Sequence, residues 1–339
     1  MEAAVFDAPF ALRLEERPTP LPTRGEVQVA VDAAGLCAGD LYIYLGKNPY
    51  VSYPRIGGHE IAGRVSALGP DTIGPALGTP VVVEPFIGCG HCFPCRVQKP
   101  NCCANLQIIG VHREGGFAES VTAPVDRLHV IPDGMTPFLA SFVEPVAIGV
   151  QACRRGEVTA VDTVLILGAG PIGLAIAEVA LARGAKVYIA DIARDRLDIA
   201  AQLGAVPLEA GGGLPQEVMR LTGGEGMPVV IEATGNVKAM EQTAGLVAAG
   251  GRIVVVGLVG QGVPVSWPGL DLTRKEMTIL GSRASTGCFP ESLDLLARGA
   301  IRYPDIATGF RLSEAPSVFA DLAQNTSALH KAVFLKELG

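Results

Sequence analysis

The chain has 339 residues, of which 49% are hydrophobic and 18% charged, and 27 Lys and Arg stand against 34 Asp and Glu for a formal net charge of −7. That length predicts about two domains, each able to bury its own core, and the composition excludes a disordered chain. The acidic balance speaks against nucleic acid as a partner, because a phosphate backbone is held by clustered Lys and Arg.

No secretory signal is expected at the start, where residues 1–15 carry Glu2 and Asp7 and lack a basic opening and a long apolar run. Up to about residue 140 the sequence is rich in Gly and Pro, with short β-like runs at 27–31, 61–65 and 81–84 between turn signals at 18–22, 69–71 and 88–90. This predicts an irregular, mostly β domain. Scattered through it are Cys37 in GLCAGD, His59 and Glu60 in GGHE, and Glu144 in SFVEPVAIG. Each alone is a weak signal, since a lone cysteine is usually a small core residue. Together they offer one sulfur, one nitrogen and two carboxylates, enough for zinc with an exchangeable position. Spacing alone does not show that they converge.

Five of the eight cysteines lie between 89 and 103. Cys89, Cys92 and Cys95, with either Cys102 or Cys103 by count, suit a closed tetrahedral zinc site of structural type. In a chain without a signal peptide such a cluster reads as metal ligation rather than disulfides, and a cytoplasmic location is the default.

From about 150 the pattern changes to strand, helix, strand. Residues 163–167 (TVLIL) form an apolar strand, GAGPIG follows at 168–173, and an apolar segment at 174–183 is of helix length. A second strand at 186–190 ends at Asp191, 23 positions after Gly168. That is the setting a G-x-G-x-x-G needs in order to hold a dinucleotide. Gly168 allows the tight turn, Gly170 the approach of a pyrophosphate, and Gly173 close packing of helix on strand. Asp191 suits the ribose hydroxyls and repels a 2′-phosphate, favouring NAD over NADP, while Arg194 and Arg196 nearby weaken that preference. The apolar stretch 163–182 is no membrane span, being broken by glycines and Pro171 and carrying Glu178. Further helices are predicted at 194–204 and 238–248 and strands at 229–232 and 252–256. Helices at 291–298 and 313–324 and a strand at 331–335 then either extend this sheet or return to the first domain.

These motifs, with GGFAE at 115–119, VEP at 143–145 and EATG at 232–235, resemble the zinc-dependent medium-chain alcohol dehydrogenases over essentially the whole chain. SFVEPVAIGVQACRRG is most similar to the sorbitol (polyol) dehydrogenase branch. GVHREGGFAE and LGSRAST are similar to bacterial enzymes that oxidise the C5 hydroxyl of hexonates such as L-gulonate and L-galactonate. The resemblance implies an α/β fold: a Rossmann doubly wound parallel sheet at 149–283 and a GroES-like β-rich catalytic domain at 1–148 and 284–339, with the active site in the cleft.

It also implies an NAD-dependent oxidoreductase with two zinc ions per chain, a small-molecule polyol or sugar-acid substrate, and a homo-dimer or homo-tetramer. The catalytic zinc residues map onto Cys37, His59, Glu60 and Glu144, and the structural ones onto Cys89, Cys92, Cys95 and Cys103 rather than Cys102. Cofactor contacts fall on Gly168, Gly170, Pro171, Ile172, Gly173, Asp191, Arg196, Thr234, Gly257 and Ser282. One departure stands out: Gly39 replaces the family's proton-relaying Ser or Thr, which points to Tyr42 or an ordered water as a substitute. Arg283, in GSR, is placed near nicotinamide and substrate, where a guanidinium fork suits a carboxylate. His112 reads as a surface-loop histidine or a second pocket residue. The loss at Gly39 raises a non-catalytic zinc- and nucleotide-binding homologue as an alternative. The joint presence of Cys37, His59, Glu60 and Glu144 argues against it and against a zinc-free quinone reductase.

Overall fold

The computed structural model describes residues 1–324 and 329–337. They divide into two compact units, one of Met1–Glu144, Phe289–Ala297 and Pro304–Gly339, the other of Pro145–Cys288 and Arg298–Tyr303.

The first unit is built on β-sheet. Its long strand Glu26–Gly35 pairs antiparallel with Glu60–Leu68 on one side, and on the other with Ser120–Pro124 and then Lys331–Leu335. Pro80–Val83 and Leu128–Val130 extend the sheet one way and Ala307–Arg311 the other. The three β-like runs of the first domain thus lie in neighbouring strands, and the C-terminal strand returns to this sheet rather than extending the second one. Val27, Val29 and Val31 alternate inward as a half-buried strand requires. Beneath them Phe117 meets Phe334 edge-on at 5.2 Å and Phe319 at 5.9 Å, with Phe6 on Phe319 at 5.2 Å. Burying each such ring stabilises the fold by about 1.5–3 kcal/mol. The hairpin Glu2–Ala8 with Ala11–Glu16 has no alternation in its first strand, where Ala3 to Phe6 are all buried.

The second unit holds six parallel strands in the order Val206–Glu209, Lys186–Asp191, Thr163–Leu167, Met227–Glu232, Val247–Val255, Thr278–Gly281. This is the doubly wound Rossmann order, which reverses beside the first strand, and ligands bind beyond the strand ends at that reversal. The central strands are unbroken apolar runs because helices cover both faces. The edge strand Val206–Glu209 is mostly exposed and has no such run. Its sequence, VPLE, gave no strand signal.

Candidate active site

Cys37 is the N-cap of the short helix Ala38–Tyr44, and its backbone N–H donates to Asp40 Oδ2 at 2.9 Å. The other Asp40 oxygen accepts the Gly58 N–H at 3.0 Å and lies 3.6 Å from His59 Nδ1. One fully buried carboxylate therefore ties the cysteine turn to the GGHE turn. Cys37, His59 and Glu60 each bring a donor atom within 4.8 Å of the others. Burial opposes charge on the His59 ring, but Asp40 and the Cys37 sulfur overcome it and lift its pKa well above the ordinary value.

Sheet register delivers the third donor. Gly35 stands opposite Glu60, and a Cβ on Gly35 would collide with Glu60 Oε2, so the carboxylate lies across a position that only glycine leaves open. On the other side of the same strand, Lys331 Nζ donates to both Glu60 oxygens, at 2.6 and 2.5 Å, and to the Leu36 carbonyl at 2.9 Å. Lys331 and Glu60 are buried, with side chains 3% and 1% exposed. Glu144, in the first turn of Val143–Arg155, is also buried. Burial pushes its carboxyl up to about 7, with His59 and Lys331 opposing and Glu60 and Asp40 adding. It stands in the electrostatic field of the group but outside its 4.8 Å circle.

A Cβ on Gly39 would lie 3.6 Å from His59 Cε1 and 3.9 Å from Cys37 Sγ, in ordinary contact, so the missing hydroxyl belongs directly over both donors. Tyr42, three residues along the same helix, is 55% exposed. His112 accepts the Ile108 N–H at Nδ1 and lies 6.3 Å from the Tyr50 ring. Arg283 is exposed in the second unit, just beyond the edge strand Thr278–Gly281.

The cysteine lobe comes together from Cys89, Cys92, Cys95 and Cys103, while Cys102 is exposed and outside the group. Cys92 Sγ lies 3.5 Å from Cys95 Sγ and 3.7 Å from Cys103 Sγ. Zinc–sulfur bonds of about 2.3 Å in a tetrahedron need sulfurs roughly 3.8 Å apart, so the spacing fits that ion. The N–H groups of Cys89 and Asn105 both point at Cys103 Sγ, at 3.2 and 3.3 Å. The backbone N–H groups of Cys95 and Ala104 pull the Cys92 thiol down to about 6, favouring the thiolate a metal needs.

In the second unit a cavity of about 950 Å³ is lined by Gly168, Gly170, Asp191, Arg196 and Thr234, among others. Gly168 has φ +101°. Gly170 lines the cavity and caps the helix Pro171–Ala182, with Pro171 at its first position, so that helix starts at the cavity's edge. A Cβ on Gly173 would overlap the Gly168 carbonyl oxygen. Asp191 accepts the N–H groups of Ala169 at 2.7 Å and Ala193 at 2.9 Å, and Arg196 stands 4.0 Å from it. Pro171, Ile172, Gly173, Gly257 and Ser282 are not among the lining residues; Ser282 is buried and its hydroxyl has no partner among the described residues. The donor chemistry of both thiolate-bearing groups and this cradle fit zinc and a dinucleotide.

Two residues that hold the donors were not found in the sequence. Asp40 had a local signal, an acid three residues after an N-cap in GLCAGD. Lys331 had none, because it lies 271 residues from Glu60 and merely opens an apolar strand.

Residues 23–133 match the family description "Alcohol dehydrogenase GroES-like domain" and residues 171–298 match "Zinc-binding dehydrogenase". The chain is 36% identical to L-galactonate-5-dehydrogenase of Escherichia coli K12, over 84% of each chain. It is 30% identical to sorbitol dehydrogenase of Bacillus subtilis, over 91% of this chain and 89% of that one. A crystal structure of an alcohol dehydrogenase from Escherichia coli CFT073 in complex with NADH superposes with a TM-score of 0.92 at 31% identity, over 99% of both chains.

Proposed function

The chain belongs to the zinc-dependent medium-chain alcohol dehydrogenases, oxidoreductases that work with NAD and zinc, and from that premise we propose that it oxidises a secondary hydroxyl of a polyol or sugar acid, with aldonates such as L-galactonate and L-gulonate attacked at C5. The observation that carries this reading is the convergence of Cys37, His59 and Glu60 donors in one buried group. Cys37 and His59 would hold the catalytic zinc with Glu60 and Glu144 beside them, and the four-cysteine lobe would hold the structural one.

Zinc supplies Lewis acidity that lowers the pKa of a hydroxyl, and NAD accepts the hydride. The chain's own residues do the rest. Asp40 anchors the Cys37 turn and sets its carboxylate 3.6 Å from His59 Nδ1, where it favours charge on that ring. Lys331, bonded to both Glu60 oxygens, fixes where that buried carboxylate points. The Pro171–Ala182 helix offers its free N–H groups to a pyrophosphate, and Asp191 its carboxylate to ribose hydroxyls rather than a phosphate. With no hydroxyl at Gly39, the proton leaves through Tyr42, so Tyr42→Phe should cut kcat at least tenfold with little change in KM for NAD. An unchanged kcat removes Tyr42 from the route.

The deciding experiment is NADH or NADPH formation across polyols and aldonates, with and without a chelator. Turnover with NAD on aldonates, lost on chelation, is expected; a metal-replete sample that turns over none of them refutes the assignment. Arg283 supports the sugar-acid half of the reading, since the resemblance puts it near nicotinamide and substrate and a guanidinium fork suits a carboxylate. Arg283→Ala should raise KM for aldonates about tenfold or more and leave matching polyols nearly unmoved. Equal losses on both would leave no reason to prefer an acid.

Among the described residues no helix is long and apolar enough to cross a membrane. None of the eight cysteines is joined in a disulfide. Leu258, Leu270 and Leu272 are exposed in the segment leading to the unpaired edge of Thr278–Gly281. That edge suits pairing between two copies, and light scattering giving a monomer's mass would exclude it.

A further inference from the structure

Glu232 ends the strand Met227–Glu232 and is fully buried, yet no cationic group lies within ion-pair distance of it among the described residues. Oε1 accepts three donors: the Thr234 N–H at 2.7 Å, the Gly235 N–H at 3.0 Å and the Thr234 hydroxyl. The order then propagates. Thr234 Oγ1 accepts the Asn236 N–H at 2.9 Å, and Asn236 Oδ1 accepts the N–H groups of Lys238 and Ala239, capping the helix Val237–Leu246.

The residue also reaches the next strand end. Its backbone carbonyl accepts the N–H groups of Val256 and Gly257, at 2.9 and 3.1 Å. Oε2 has no hydrogen-bond partner among the described residues and lies 2.6 Å from where a Cβ on Gly257 would stand, so that position is closed to any side chain. A buried carboxylate without a cation is costly. A strand end needs no acid to make a turn, so the fold tolerates this one for what it shapes. Ala233, Thr234 and Asn236 line the 950 Å³ cavity. Thr234 Cγ2 would lie 2.8 Å from a Cβ on Gly168, which places the Glu232-built turn against the glycine turn.

We propose that Glu232 is a positioning residue for the dinucleotide: it preorganises the turn at 233–236 as one wall of the cofactor cavity, so that binding need not order it. This rests on reading that cavity as the NAD site.

The test uses the full-length, metal-replete protein and NADH, read by quenching of Trp267, the chain's one tryptophan. Trp267 donates to the Met240 carbonyl on the helix that this turn caps. Glu232→Gln keeps the size but removes the negative charge on which the three donors converge, and sets an amide NH2 where Oε2 has no hydrogen-bond partner among the described residues. The expected result is a Kd for NADH raised about tenfold, a matching rise in KM for NAD, unchanged kcat at saturating NAD and an unmoved melting temperature. Thr234→Val, which removes the hydroxyl that links Glu232 to Asn236, should weaken NADH several-fold, and the double variant should be no weaker than Glu232→Gln alone.

A Glu232→Gln protein that binds NADH like the parent overturns the proposal. So does strict additivity of the two substitutions. Should Glu232→Gln fail to fold, Thr234→Val decides alone, and parental affinity there overturns it. A parent protein that does not bind NADH at all would instead overturn the cofactor reading itself.

Discussion

Replacing Lys331 by methionine should lower the unfolding free energy of the first unit by about 3–5 kcal/mol, the usual cost of removing one partner of a buried ion pair. At roughly 2–4 °C per kcal/mol for a unit of this size, the melting temperature should fall by about 10 °C, and zinc content with it. The reason lies in what is left behind. Both Glu60 oxygens are bonded to the Lys331 ammonium, Gly35 offers no side chain, and both partners are buried. The carboxylate left without its partner would drag the GGHE turn toward solvent, and His59 is the adjacent residue on that turn. Adding Glu60→Gln to the same protein removes the uncompensated charge and should recover most of the lost stability, although the catalytic donor set stays one carboxylate short. Thermal unfolding by circular dichroism, with zinc measured on the same samples, separates the two effects. A single Lys331→Met variant that melts with the parent would mean that the pair contributes nothing, and that Glu60 is oriented by something else.

This pair also marks the boundary of what the sequence discloses. Cys37, His59 and Glu60 are legible because each sits in a short glycine-flanked motif whose turn is dictated locally. GAGPIG and Asp191 are legible because strand, turn, helix and strand follow one another without interruption. The parallel strands announce themselves by unbroken apolar runs, since both of their faces are covered. Lys331 has no such local grammar, and EATG marks Glu232 as part of a motif without showing what its carboxylate holds. The partner of Lys331 is set by the register of three antiparallel strands drawn from opposite ends of the chain. The three donors of Glu232 are close in sequence, but its burial depends on the strand beside it. Glu144 shows the same limit: its motif marks it as a candidate ligand, while its burial beside Glu60, His59 and Lys331 comes only with the fold.

Alanine at Gly170 and alanine at Gly173 should separate binding from folding. Gly170 has φ −73° and nothing within 4 Å of the position a Cβ would take. The protein itself therefore accepts alanine there, and the melting temperature should stay within about 1–2 °C of the parent, as for surface changes worth under 0.5 kcal/mol. The methyl group instead occupies the space before the Pro171–Ala182 helix, where a pyrophosphate must approach the free N–H groups. A displacement of about 1 Å there is enough to cost on the order of a hundredfold, so NADH affinity should fall by ten- to a hundredfold. At Gly173 the clash is with the Gly168 carbonyl oxygen, which is backbone and cannot swing aside. Gly173→Ala must push the helix off its strand, and both melting temperature and NADH affinity should drop. NADH titration and thermal unfolding of the two variants side by side give the answer. Parental NADH affinity in Gly170→Ala would show that no phosphate lies against that helix end, whereas a parental melting temperature in Gly173→Ala would show that the turn yields where the packing says it cannot.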